Sequence, residues 1–158
     1  MRWIWIDRFV EFVPGKRAVA VKNVSLAEEH LHDHWEPYPI MPASLLIEGM
    51  AQTAGILVGQ ARNFQEKVIL AKIGKAEFRD LVIPGDQITY RAEIDTISPD
   101  AAATSGVVLK NGDPIGQVNL MFSHIDQNLA GTKFPEENFV FTGQFERLIR
   151  PFLERADG

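Results

Sequence analysis

The sequence predicts an α+β fold in which an antiparallel sheet wraps around one long helix. Residues 43–62 lack proline and are mostly Leu, Ile, Met, Ala, Val and Gly, which is typical of a helix buried on most sides. Residues 88–95 alternate apolar and polar side chains, as a half-buried antiparallel strand does. Asn111-Gly112 separates two apolar segments and is a strong hairpin signal. One long helix with several long strands belongs to the α+β class.

The remaining strands are predicted from apolar segments bounded by turn residues. Pro14-Gly15 and Pro84-Gly85 are turn signals. The segment 25–33 is polar and predicts a loop. The expected strands cover residues 8–24 on both sides of Pro14-Gly15, then 68–78, 88–95, 101–109 and 115–124.

Composition and charge exclude several classes of function. A chain of 158 residues is long enough for one domain with a real core. Without cysteine it has no disulfide framework, no cysteine nucleophile and no thiolate metal site. The formal net charge of −5 argues against nucleic-acid binding. The amino-terminal residues do not resemble a secretory signal, and the one long apolar run contains Glu48 and Gln52, so we expect a cytoplasmic protein without a membrane span.

The predicted helix carries one polar stripe. Ser44, Glu48 and Gln52 are spaced i, i+4, i+8 and therefore share a face. An ionised carboxylate in an apolar helix is costly unless it has a partner or a function. Helix periodicity alone leaves two interpretations open: Glu48 faces water along the stripe, or it is a functional acid.

A histidine lies close before this helix. His34 is followed by Pro37, Pro39 and Pro42, and prolines stiffen the chain that enters the helix. Histidine is a natural base near neutral pH, and a desolvated glutamate can act as a neutral acid. The free N–H groups at a helix N-terminus can stabilise an oxyanion. These groups together suit proton removal next to an activated carbonyl.

His30, His32 and His34 fall at alternate positions, which raises the alternative of a metal site. In an extended segment the three side chains would share a face and could hold a metal ion. We prefer the interpretation that His30 and His32 are solvated loop residues, and we expect no metal.

Residues 34–52, HWEPYPIMPASLLIEGMAQ, resemble the signature HFPxxPIMPGVLIIEAMAQ of the FabZ-type 3-hydroxyacyl-[acyl-carrier-protein] dehydratases. Residues 14–24, 73–79 and 82–87 resemble further segments of that family, so the likeness spans about residues 5–125. The resemblance implies a hotdog fold, a sheet curled around a central helix. It assigns the catalytic histidine and glutamate to His34 and Glu48.

The resemblance also implies an activity and its partners. The expected reaction removes water from a (3R)-hydroxyacyl thioester to give the trans-2-enoyl product, as in fatty-acid biosynthesis. The substrate arrives on the phosphopantetheine of an acyl carrier protein, and no cofactor is expected. Pro42, Ala43 and Gln52 are the expected substrate-binding residues, with N–H groups near Ala43 holding the thioester oxygen.

In this family the site forms between two subunits, which implies an obligate homodimer and often a trimer of dimers. The related dehydratase/isomerases have Asp at the position of Glu48, so we expect dehydration without isomerisation. Basic residues are candidates for carrier docking by their charge alone. They are Arg62, Lys67, Lys72, Lys75 and Arg79.

Three departures from the signature keep two alternatives open. Asp33, Glu36 and Ala43 replace the family's Gly, Pro and Gly. A non-catalytic acyl or acyl-carrier binding protein is one alternative. A hotdog acyl thioesterase is the other, although the turn at His34 argues against it.

The chain after residue 125 lies beyond the resemblance. We expect a hotdog domain at 1–125 and a carboxy-terminal extension at 126–158. Apolar residues at 145, 148, 149, 152 and 153 predict an amphipathic helix, which Pro151 should kink or end. The favoured interpretation is packing on its own domain; the alternatives are a contact with a neighbouring subunit and a cover over an acyl tunnel.

Overall fold

In a computed structural model of the chain, the structure describes residues 3–33, 37–125, 131, 135–136 and 141–156. The elements in these residues are β1 (Arg8–Val13), β2 (Arg17–Asn23), α1 (His30–Asp33), α2 (Ala43–Gln60), β3 (Val68–Phe78), β4 (Gln87–Ile97), β5 (Ala101–Lys110), β6 (Asp113–His124) and α3 (Gly143–Ala156). The six strands form one sheet in the order β1-β2-β4-β5-β6-β3. Every neighbouring pair is antiparallel.

Helix α2 is the centre of the core, as its sequence predicted. It packs against five strands, β2 to β6. Leu46, Ile56 and Val58 are buried on different sides of the helix. Because the apolar surface surrounds most of α2, the sheet must curve around it to remove that surface from water.

The sheet confirms the period-two prediction. Ile88, Tyr90 and Ala92 on β4 are buried, whereas the intervening Arg91 and Glu93 are exposed. The predicted hairpin between β5 and β6 turns at Asn111 and Gly112, whose φ angles are 52° and 97°. Two successive positive φ values are what a type I′ turn requires.

One local prediction from the sequence was wrong, and so was one of the two effects predicted for Pro151, the end of the helix. The segment 25–33 is not a simple loop, because its end forms the short helix α1, where Leu31 is buried in the core. Pro151 does not end α3, which continues to Ala156. Ile149 before the proline is fully buried, and Phe152 after it packs against Phe9 and Phe12. This packing on both sides offsets the backbone hydrogen bond that proline removes.

Strand β3 is an outer strand of the sheet and is largely exposed. Ile69, Leu70 and Ile73 on β3 and the neighbouring Met121 on β6 are exposed apolar residues. An apolar edge strand is a surface on which another strand can pair. Among the described residues, no helix has the length and hydropathy needed to cross a membrane.

The helix lies close against the sheet at Gly49. A Cβ atom added there would overlap the ring and hydroxyl of Tyr90 on β4. Tyr90 is fully buried, and burial raises the pKa of its hydroxyl above the ordinary value. Glycine at position 49 therefore lets α2 lie directly on the Tyr90 ring, and this contact fixes the height of the neighbouring Glu48 over the sheet.

We predict that Gly49→Ala destabilises the protein by about 1–3 kcal/mol, because the added methyl overfills a packed core. Gly55→Ala is the matched control in the same helix. Its new Cβ would lie 3.4 Å from Phe122, an ordinary contact. Alanine should therefore be neutral there or stabilise the helix by up to about 1 kcal/mol. Urea denaturation of both variants measures the difference, and equal effects would contradict the close contact at Tyr90.

Candidate active site

Glu48 lies on α2, half-buried, with its carboxylate held by two donors. Trp3 Nε1 donates a hydrogen bond to Glu48 Oε1 at 3.1 Å. Gln52 Nε2 donates to the same oxygen at 2.9 Å. One donor comes from the same helix face and the other from the start of the chain. The carboxylate is therefore oriented by the fold and is not a freely solvated side chain.

Gln52 joins the amino-terminal segment to the helix. Its Oε1 accepts a hydrogen bond from the Trp5 N–H at 2.8 Å, and its Nε2 also contacts the Trp3 carbonyl at 3.1 Å. The side chain is buried, whereas Ser44 on the same stripe is exposed. Exposure to water therefore decreases along the polar stripe, from the exposed Ser44 through the half-buried Glu48 to the buried Gln52.

An apolar cavity of about 330 Å³ begins at Glu48 and follows this helix face. Glu48, Gln52, Gly55 and Gly59 line it in order along the helix. From Glu48 to Gly59 the helix rises about 16 Å, at 1.5 Å per residue. The other walls come from the amino-terminal segment, α2, the α2–β3 connection, the sheet and the carboxy-terminal segment. They are Trp3, Ala51, Ile56, Phe64, Glu66, Val68, Ile69, Leu70, Phe122, Phe141 and Phe145.

The start of α2 opens into a different cavity. Pro42, the residue before the helix, and Ala43, its first residue, line a space of about 470 Å³ together with Arg79 and Leu81. Glu48 is five positions after Ala43, which places the two about 140° apart around the helix axis. Within one chain, the predicted site residues therefore fall into two groups. Glu48 and Gln52 line one cavity, and Pro42 and Ala43 line the other.

His34 lies outside the described residues, as do Glu36 and the side chain of Asp33. The role predicted for His34 and the effects of the Asp33 and Glu36 departures stay predictions. Ala43, the third departure, is exposed at the helix start.

The expectation for His30 was wrong. Its side chain is only 12% exposed, and Nδ1 lies 3.6 Å from Glu28 Oε2. Its ring packs edge-on against Trp5 at 5.1 Å between centroids. His32 is exposed and bonds the Leu26 carbonyl at 3.0 Å. Since both lie in α1, two positions apart, they do not share a face as they would in a strand. Within the described ranges, no cluster of three or more His, Asp or Glu residues could hold a metal ion.

Several site residues were missed by the sequence reasoning. Trp3 contacts Glu48 from 45 residues away, and no local pattern reveals such a contact. Phe141 and Phe145 reach the cavity from the carboxy-terminal segment. The glycines at positions 55 and 59 were a usable signal, because they open the helix face that continues from Glu48.

We predict that Gln52→Leu lowers the free energy of unfolding by about 1–3 kcal/mol, because the buried Trp5 N–H loses its acceptor. Ser44→Ala, on the exposed end of the same stripe, should change it by less than about 0.5 kcal/mol. Chemical denaturation of both variants tests this. A Gln52→Leu protein as stable as the Ser44→Ala protein would show that the amide does not hold the amino-terminal segment.

Comparison with known proteins identifies the family. The FabA-like domain family matches residues 3–118. A 3-hydroxyacyl-[acyl-carrier-protein] dehydratase FabZ from Caldanaerobacter subterraneus subsp. tengcongensis is 36% identical over 121 residues, covering 76% of this chain and 86% of the relative. The protein of the same name from Clostridium acetobutylicum is 35% identical over 118 residues, covering 74% and 84%.

Solved structures share the hotdog fold. The dehydratase heterocomplex ApeI:P from Xenorhabdus doucetiae matches with a TM-score of 0.63 at 13% identity, covering 81% of this chain and 90% of that one. Zebra fish thioesterase superfamily member 2 matches with a TM-score of 0.60 at 12% identity, covering 73% and 79%. The resemblance predicted from residues 34–52 is confirmed over most of the chain, and the protein belongs to the FabA-like domain family.

Proposed function

We propose that this chain dehydrates 3-hydroxyacyl thioesters carried by acyl carrier protein, with Glu48 as the acid and His34 as the base. The activity is that of a hydro-lyase of fatty-acid biosynthesis, the function of the FabZ relatives that match most of the chain. The observation that carries the proposal is the placement of Glu48. Its oriented carboxylate stands at one end of an apolar cavity along the central helix.

The proposed chemistry needs one base and one acid. His34 takes the proton from C2, the C3–O bond breaks as Glu48 gives its proton to the hydroxyl, and the C2=C3 double bond forms as water leaves. Proton exchange with solvent then restores both side chains. Because acid and base suffice for this elimination, the proposal includes no metal or redox cofactor.

The hydrogen bonds of Glu48 orient its carboxyl group and distinguish its two oxygens. Both Trp3 and Gln52 donate to Oε1. A neutral carboxylic acid accepts hydrogen bonds at its carbonyl oxygen and carries its proton on the other. Two donors on Oε1 therefore favour the proton on Oε2, and we assign Oε2 to the departing hydroxyl group.

The start of α2 supplies the groups for the thioester oxygen. The N–H groups of Leu45 and Leu46 donate to the Pro42 carbonyl. Those of Ala43 and Ser44 are the first in the helix, and an α-helix leaves its first N–H groups without an intrahelical acceptor. The proposed oxyanion site is formed by these two groups, aided by the positive end of the helix dipole.

The separation of the two cavities supports a site shared between two chains. Ala43 and Glu48 face different cavities of one chain, so a second copy has to bring its Glu48 to the oxyanion site. The second copy would bind at the exposed apolar residues of β3. The β3 strands of two copies can pair with each other about a two-fold axis, because both are edge strands of the same sequence. The proposed active form is therefore a homodimer with two composite sites.

Arg79 is the docking candidate that the geometry favours. It is exposed beside Pro42 and Ala43, where the thioester would enter. Lys67, by contrast, is buried, and Lys75 contacts Glu77 and Gln117 on the sheet. An acidic carrier approaching this net negative protein would meet a cation at the mouth of the proposed site.

We predict that His34→Ala and Glu48→Gln each lower kcat/KM for a 3-hydroxyacyl carrier substrate by about 10²–10⁴-fold, the usual contribution of an acid or base. Glu146→Gln, an exposed carboxylate on α3, is the matched control and should keep wild-type activity. Product analysis should show the trans-2-enoyl thioester without the cis-3 isomer. Release of free carrier thiol without enoyl product would instead indicate a thioesterase, and binding without turnover a non-catalytic protein.

We predict that mixing the inactive His34→Ala and Glu48→Gln variants restores activity after subunit exchange. Random exchange makes half of the dimers mixed, and each mixed dimer has one intact site of two, so recovery should approach about a quarter of wild-type activity. Mixing each variant with itself is the control. No recovery despite exchange, verified by mass spectrometry of labelled subunits, would contradict a site shared between chains.

A further inference from the structure

The far end of the cavity is lined by a part of the chain that lies beyond the family match. The family matches residues 3–118, whereas Phe141 and Phe145 belong to the carboxy-terminal segment. Both nevertheless line the cavity that begins at Glu48. The carboxy-terminal segment is therefore part of the cavity wall.

Phe141 is stacked on Phe64. The two ring centroids are 3.7 Å apart and the planes are inclined by 16°. Phe64 follows the end of α2, and its N–H donates to the Gly59 carbonyl at 2.8 Å. Its ring also lies 3.1 Å from the position of a Cβ on Gly59. The stacked pair thus sits at the Gly59 end, about 16 Å along the helix from Glu48.

Helix α3 anchors this wall to the sheet. Ile149 is fully buried, and the Phe152 ring packs against Phe9 at 6.5 Å and Phe12 at 6.3 Å. Phe145, in the first turn of the helix, lines the cavity instead. One helix therefore has two separable contacts: a later one that attaches it to β1, and an earlier one that faces the cavity.

We propose that the stacked pair Phe64 and Phe141 is the end wall of the acyl-binding cavity and limits the length of the acyl chain accepted. This inference rests on the proposed dehydratase function, in which the reacting carbons lie at Glu48. The alkyl tail then extends along Gln52, Gly55 and Gly59 between apolar walls. A tail that reaches the stack must separate two aromatic rings that are in contact.

The test compares Phe64→Ala, Phe141→Ala and their double variant with Phe152→Ala as the matched control. Phe152→Ala removes the same kind of ring from α3, the helix that follows Phe141, but Phe152 does not line the cavity. For each protein, kcat/KM is measured with 3-hydroxybutyryl, 3-hydroxyoctanoyl, 3-hydroxydecanoyl and 3-hydroxyhexadecanoyl carrier substrates. Binding of a fluorescent long-chain fatty acid is measured in parallel, and a melting curve checks that each variant is folded.

Removal of either ring should shift preference towards longer chains. We expect the ratio of kcat/KM for hydroxyhexadecanoyl over hydroxybutyryl substrate to rise about tenfold or more, since one methylene changes selectivity by about 10–200-fold in a fitted pocket. The double variant should gain less than the product of the two single effects, because each removes the same wall. Phe152→Ala should keep the wild-type chain-length profile.

The outcomes separate this inference from the function on which it rests. Wild-type turnover with an unchanged chain-length profile in Phe64→Ala and Phe141→Ala would overturn the end wall and leave the dehydratase function intact. The same shift in Phe152→Ala would also overturn it, since loosening of α3 alone would then be sufficient. A wild-type protein inert towards all four substrates, with fatty-acid binding that tightens in Phe141→Ala, would support the wall and overturn the proposed activity.

Discussion

The contact between Gly49 and Tyr90 is the constraint on which the site depends. A helix that is apolar on most sides has to be enclosed, and the curved sheet can enclose it only if helix and strand approach closely. Glycine permits this approach over the Tyr90 ring on β4. Glu48 immediately precedes Gly49 in the helix, so this close contact lies directly beside the proposed acid. The same contact between Gly49 and Tyr90 therefore stabilises the core and positions the proposed acid.

A carboxylate beside an apolar core requires compensation, and the amino-terminal segment provides it. Burial of a polar group without a hydrogen bond costs free energy, whereas Glu48 receives two. Gln52 then ties the donor segment down by accepting from Trp5. Trp3 thus lines one side of the cavity and donates to the Glu48 carboxylate. The Gln52 side chain holds this segment in place and donates to the same carboxylate. This explains why a polar stripe persists on a helix that is otherwise built for burial.

Helix geometry also gives the proposed assembly a physical reason. The first residue of the helix and an acid five positions later lie on different faces, about 140° apart around the axis, whatever sheet surrounds the helix. Sharing the site between two copies resolves this, and the exposed apolar edge of β3 is where a copy would pair. The proposed end wall also depends on this helix, because the face that carries Gly55 and Gly59 lines the cavity together with Phe141 from the carboxy-terminal segment.

Much of the fold was determined by local patterns. Strands β3 to β6, the Asn111-Gly112 hairpin and the start of α2 follow from period-two alternation, turn chemistry and an unbroken apolar run. The same local reasoning found Glu48 as the unusual acid of its helix, and the motif around it identified the family. Local prediction was weaker where packing overrides propensity, as in α1, anchored by Leu31, and in α3, which continues through Pro151.

The sequence by itself therefore determined the α+β class, the central helix and the chemical identity of its acid, because periodicity and composition act over a few neighbouring residues. Only the tertiary structure decided what surrounds that acid. The Trp3 donor lies 45 residues from Glu48, and Phe141 stacks on Phe64, which is far from it in the sequence. Such contacts form when separate segments bury their surfaces against one helix, and the free energy that selects them depends on the whole core rather than on any local pattern.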